Sequence, residues 1–131
     1  MDLKKEFATD ESLEEEGVWQ DFGDDLKCKI ARMGNKNYQK EFQKLSKPYK
    51  KQIRRGTLND AKAEEILIKT MAKAILLGWE GLEEDGNPVP YSEKNAIHIL
   101  TEYKDFRDLI GDYADDLEAY KIEEDEEAEK N

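Results

Sequence analysis

The stretch of this chain that comes nearest to a metal site is Glu83-Glu84-Asp85-Gly86, half of the loop by which a helix–loop–helix motif holds calcium. Aligning Gly86 with the sixth position of that loop puts Gly81 first and Ser92 last. Both anchoring carboxylates are then missing, which argues against calcium. His98 is the only histidine, with no cysteine or second histidine at helical spacing, so it reads as a surface or half-buried helix residue. Cys28 is the only cysteine. One thiol makes neither a disulfide framework nor a structural zinc site, and it fits a reducing compartment. The many carboxylates offer no singular acid–base pair, because in so acidic a chain they read as solvated faces. No phosphate-cradling glycine loop and no serine elbow occurs. The expectation is a protein without catalytic, cofactor-binding or metal residues, and so not an enzyme.

The elements that would carry a function must therefore be binding surfaces. At 131 residues, 37% hydrophobic and 40% charged, the chain is sized for one domain with a modest core and a large solvated remainder. It holds no apolar run of the ~20 residues a bilayer crossing needs, and MDLKKEFATDE is no signal peptide. A cytoplasmic protein without membrane contact is expected. The net charge of −11 hides a split: residues 26–55 carry eleven cations against the single anion Glu41, a net of +10, which leaves −21 on the remainder. Such a dipolar chain can neutralise itself, pair head to tail with its own copies, or offer its basic part to an acidic partner.

Residues 1–16 are acidic and aperiodic, and read as a disordered leader. Val18-Trp19-Gln20-Asp21-Phe22 and Leu26-Lys27-Cys28-Lys29-Ile30-Ala31, joined by Gly23-Asp24-Asp25, read as a hairpin. Tyr38, Phe42, Leu45 and Tyr49 recur at helical steps beside Lys36, Lys40 and Lys44, giving a basic amphipathic helix that Pro48 interrupts. Ser46 can cap the short helix that follows and ends by Gly56. Thr57 and Asp60 form a capping-box-like start for a helix over 60–77, whose Ile66 to Leu77 stretch is apolar nearly all round. The turn formers over 81–90, directly after Gly78-Trp79, make a structured loop, and Ser92 caps a helix through Ala96, Ile97 and Leu100. Phe106, Leu109, Ile110, Tyr113, Ala114 and Leu117 then line an acidic amphipathic helix. Residues 122–131 read as a disordered acidic tail.

The expected fold is mainly α within an α+β plan: an N-terminal β-hairpin, then a bundle of about four to five helices over 17–121, between disordered acidic termini. The face bearing Phe106, Leu109, Ile110 and Tyr113, with Ile75 and Trp79, is the expected contact with a partner or a second copy. Trp19 and Trp79 are also natural core residues, while Tyr91 is the better interface anchor.

Gly17-Val18-Trp19, the run from Lys29 through Tyr38, and above all Gly78-Trp79-Glu80-Gly81-Leu82 followed by Asp85-Gly86-Asn87-Pro88-Val89-Pro90-Tyr91-Ser92 resemble the tail assembly chaperones of long-tailed bacteriophages and prophages. The likeness covers 17–120. It implies a mainly helical, non-enzymatic protein of the bacterial host cytoplasm, absent from the mature virion, that coats the tape-measure protein and delivers it for tail-tube polymerisation. It further implies that a programmed ribosomal frameshift near Glu129-Lys130-Asn131 adds an extension through which a longer form recruits tail-tube protein. The competing readings are a structural head–tail or minor tail component of the virion, and a nucleic-acid-binding adaptor that uses 26–55. The −21 remainder repels phosphate and argues against nucleic acid.

Overall fold

The computed structural model describes residues 1–122. Helices stand where a leader without structure was expected. Asp2 and Asp10 each turn a carboxylate onto the backbone N–H groups of the next turn, capping α1 (Leu3–Phe7) and α2 (Glu11–Glu16). Helices this short do not persist alone. The fold holds α2 in place: the Asp10 N–H donates to the Tyr120 carbonyl at 2.8 Å, and the Arg32 N–H to the Glu14 carbonyl at 2.9 Å. The disordered leader over 1–16 is thus corrected, because local caps and backbone bonds to distant elements order it.

β1 (Val18–Gly23) and β2 (Leu26–Ile30) form the antiparallel hairpin read from the sequence. Asp24 and Asp25 close it at φ 52° and 65°, the left-handed pair that lets a two-residue turn follow the twist of the strands. α3 (Lys36–Ser46) starts on Asn35, whose side chain accepts from the Asn37 and Tyr38 N–H groups. Pro48 turns the chain through one 3₁₀ turn (Lys47–Tyr49) into α4 (Lys50–Arg55), which ends on left-handed Gly56. Ser46 makes no capping bond.

The largest departure follows. The helix expected over 60–77 is α5 (Asp60–Ala74), capped by Asn59 rather than by Thr57 and Asp60, and it stops three residues early. Leu76–Glu80 is instead β3, which pairs antiparallel with β2 and gives the sheet order β1-β2-β3. The free edge of β2 presents unpaired backbone groups at Lys27 to Ile30, and pairing them outweighs one further helical turn that would have to include Gly78. The all-round apolar character read into one helix thus belongs to two elements. α5 keeps an exposed charged side at Lys62, Glu65 and Lys69, while Ile75 and Leu76 are fully buried.

β4 (Glu83–Glu84) and β5 (Asn87–Pro88) form a second sheet of two strands. α6 (Glu93–Glu102) is capped by Ser92, whose hydroxyl accepts from the Asn95 N–H at 3.0 Å, and it breaks at Tyr103 before α7 (Lys104–Ala114) and α8 (Leu117–Tyr120). The architecture is therefore α+β with strands interspersed among the helices. The hairpin followed by a helical bundle is overturned, since β3 arrives after α5 and completes a sheet on which α5, α6 and α7 pack. Cys28, Ile30, Leu76 and Trp79 from the sheet meet Ile68, Met71, Leu100 and Ile110 from the helices. Burying each large apolar side chain there is worth about 1.5–3 kcal/mol. Among the described residues no helix is long and apolar enough to cross a membrane. Beyond Ile122, the expected acidic tail lies outside the described residues.

Candidate functional site

The seven residues expected at a partner surface separate into three groups. Ile75 and Ile110 are fully buried and Trp79 nearly so, all three within the core. Phe106 and Tyr113 are partly buried because both pack edge-on against Phe22, with ring centroids 6.3 and 4.5 Å away. Tyr91 lies at the surface, but its ring stands edge-on to Trp79 at 4.9 Å and its hydroxyl donates to the Leu76 carbonyl at 2.8 Å. Together with the Trp79 indole N–H, which donates to the Val89 carbonyl at 2.7 Å, this bond fastens the 88–91 segment over the edge of β3. Leu109 is 42% exposed. A residue advances about 100° around a helix, so Leu109 sits a quarter turn from Ile110 and misses the core. Arg107 takes an interior position instead, its Nη1 donating to the Leu100 carbonyl at 3.0 Å and to Glu64 Oε1 at 3.2 Å.

Two of the open grooves expose apolar side chains among charged ones. The first lies beside α6 and α7, holds about 490 Å³, and is floored by Leu82, Ile99, Tyr103 and Phe106. Glu83, Glu102 and Asp105 rim it against the single cation Lys104. Its wall is fixed by Glu84, which accepts the Tyr103 hydroxyl at 2.6 Å and lies 3.1 Å from His98 Nε2 through both oxygens. A carboxylate there makes Nε2 the protonated ring nitrogen. The Tyr103 bond, then the His98 bond, hold the Glu84 carboxyl below the usual carboxylate range, and Glu84 in turn raises the Tyr103 hydroxyl. This trio fastens the β4–β5 turn to α6.

The second groove lies between α3 and α4, holds about 910 Å³, and exposes Phe42 and Ile53 among Lys40, Lys44, Lys47, Lys50 and Arg54. No anion lines it. Of the eleven cations in 26–55, only Lys36 has an ion-pair partner among the described residues, Glu11. Sequence reasoning assigned Phe42 to the inner face of its helix and gave Tyr103, Leu82 and Ile53 no role. The signal for the basic groove was present in the lysines spaced by three and four around Phe42. Nothing local marked the acidic one, because 17 positions separate Leu82 from Ile99.

Among the described residues no group of three or more His, Cys, Asp or Glu side chains is placed to hold a metal ion. Cys28 is fully buried, and burial pushes its thiol up to about 12. These two grooves are the candidate binding surfaces.

Neither curated proteins nor solved structures contain a match to the chain. The family model described as YdaY prophage protein matches residues 33–131, which spans everything from the end of β2 onward. With three quarters of its length inside that match, the chain belongs to the YdaY prophage protein family and is of prophage origin.

Proposed function

We propose that this prophage protein is a tail assembly chaperone, which binds the tape-measure protein, keeps it soluble and delivers it for tail-tube polymerisation. The observation that carries this reading is the groove of Leu82, Ile99, Tyr103 and Phe106, apolar at its floor and acidic at its rim. A groove of this form takes the apolar face of an amphipathic helix, and the rim of Glu83, Glu102 and Asp105 selects one with basic flanks. Tyr103 is 45% exposed and offers a large aromatic anchor. The resemblance supports the same reading, since Gly78-Trp79-Glu80-Gly81-Leu82 forms β3 and leads into the groove wall. Prophage membership supplies the setting. The charged remainder keeps a complex with an apolar chain in solution.

The test is co-expression with the tape-measure protein of the same prophage, followed by pull-down and measurement of its soluble fraction. The tape-measure protein is expected to be soluble and bound only when this chain is present. Glu102→Lys/Tyr103→Ser, checked for an intact thermal melt, should lose most of that rescue. Equal solubility with and without the chaperone overturns the reading. The longer form that recruits tail-tube protein belongs to the same proposal, and a reporter carrying the native gene end tests it by the presence of a shifted product.

A further inference from the structure

The basic groove is the surface that the proposed function leaves unexplained, and its occupant can be read from the rest of the molecule. Lys40, Lys44, Lys47, Lys50 and Arg54 surround Phe42 and Ile53, which are 41% and 43% exposed. None of the five cations has an ion-pair partner among the described residues. The groove therefore suits a ligand with an apolar knob and several negative charges around it.

One such surface is on the same chain. Asp105, Asp108, Leu109 and Asp112 stand at i, i+3, i+4 and i+7 on α7, and all four are exposed. None of the three aspartates has an ion-pair partner among the described residues. The stripe thus presents one apolar side chain flanked by three carboxylates on a single helical face. Within one molecule the two surfaces do not serve each other, since α3 packs on α5 while α7 packs on α6 and β2.

We propose that the basic α3–α4 groove docks the acidic outer face of α7 from a second copy of the chain. Leu109 enters between Phe42 and Ile53, and the aspartates meet the lysines. The contact is heterologous, because the groove of one copy takes the helix of the next, so association runs head to tail and either closes into a ring or extends. A helix in one groove is smaller than a standard interface of about 1,600 Å². The tape-measure reading rests on the other groove and shares only Asp105 with this contact, and the variants below leave Asp105 unchanged.

Sedimentation velocity on the purified protein tests it. The mass is expected to rise above the 15.2 kDa monomer with concentration and to fall back in 1 M salt, where screening acts over about 3 Å. Lys44→Glu/Lys47→Glu and Asp108→Lys/Asp112→Lys should each stay monomeric at concentrations where the native chain associates. Mixed one to one, the two variants should associate again, because each reversed surface meets its complement on the other. A native chain that stays monomeric at about 1 mM, or variants that associate as the native chain does, overturns the proposal. So does a mixture that remains monomeric, or tight binding of a DNA oligonucleotide in the groove with no self-association. Should either variant fail to fold, carbodiimide cross-linking of mixed ¹⁴N- and ¹⁵N-labelled native protein decides. Mixed-isotope links from Lys44 or Lys47 to Asp105, Asp108 or Asp112 are expected, and links confined to single-isotope pairs overturn it.

Discussion

The Tyr120 hydroxyl donates to the Ile30 carbonyl at 2.8 Å, across 90 positions of the chain, and both residues are fully buried. That bond ties the last described helix to the end of β2, and the Arg32 guanidinium lies 5.5 Å over the same ring. The Tyr120 carbonyl accepts from Asp10, so the side chain and backbone of one residue bring both ends of the described chain to the sheet. Tyr120→Phe should cost about 1–2 kcal/mol, by stranding the Ile30 carbonyl. Tyr120→Ala should cost about 3–5 kcal/mol, because a cavity is added. Urea unfolding of the three proteins measures both.

Alkali should destabilise the fold before it affects an ordinary surface. Burial pushes the Tyr120 hydroxyl up to about 12 from 10.0, and the Cys28 thiol up to about 12 from 9.0. Between pH 9 and 12 the unfolded chain therefore releases protons that the folded chain retains. Stability from these groups is complete below the unfolded values and is lost as pH rises toward the folded ones. The urea midpoint is expected to hold level from pH 7 to 8.5 and to fall by pH 11. Tyr120→Phe should show a shallower decline from its lower starting point.

The same burial makes the thiol a reporter of unfolding. Cys28 lies at the centre of the sheet with no exposed surface, so a disulfide reagent should react with it only after the chain opens. Complete labelling within seconds in urea, against labelling at the opening rate in native buffer, is the expected pair of time courses. Rapid native labelling would place Cys28 outside a stable core.

Gly81 is the glycine whose replacement should be costliest. Its φ is 80°, and a Cβ there would stand 2.1 Å from the Asp25 carbonyl oxygen, an atom of backbone that cannot swing aside. Gly81→Ala must therefore shift either the β1–β2 turn or the β3–β4 connection, and should cost at least about 2 kcal/mol. Gly23→Ala serves as the control: its φ of 78° carries a similar conformational cost, with nothing within 4 Å of the added atom. The difference between the two in urea midpoint isolates the clash.

Acid should release the β4–β5 turn locally. The Glu84 carboxyl is held low by Tyr103 and His98, so its contribution is present above its unfolded value of 4.5 and is lost as pH falls through its lower folded value. Amide exchange at residues 83–87 should speed up below pH 4.5 relative to α5. In Glu84→Gln that acid-dependent step should vanish, with exchange in the turn already faster at neutral pH.

The chain sequence by itself determined the features whose causes are local. The hairpin over β1 and β2 followed from alternating side chains around a turn of polar residues, the break at Pro48 from its missing N–H, and the start of α6 from Ser92. The basic and acidic halves were equally plain, because charge needs no fold to be counted. Only the tertiary structure decided the rest. Ile75-Leu76-Leu77 carries no period that separates helix from strand, and from Leu76 the chain became strand because β2 had an unpaired edge at that place. The 1–16 segment is ordered by partners that lie about a hundred residues later in the chain, at Tyr120. Leu109 came to the surface and Arg107 to the interior through a rotation of α7 that only its packing against α6 and β2 could set. Pairing, packing and rotation all depend on which distant surfaces meet, so both grooves became visible only once the helices stood beside one another.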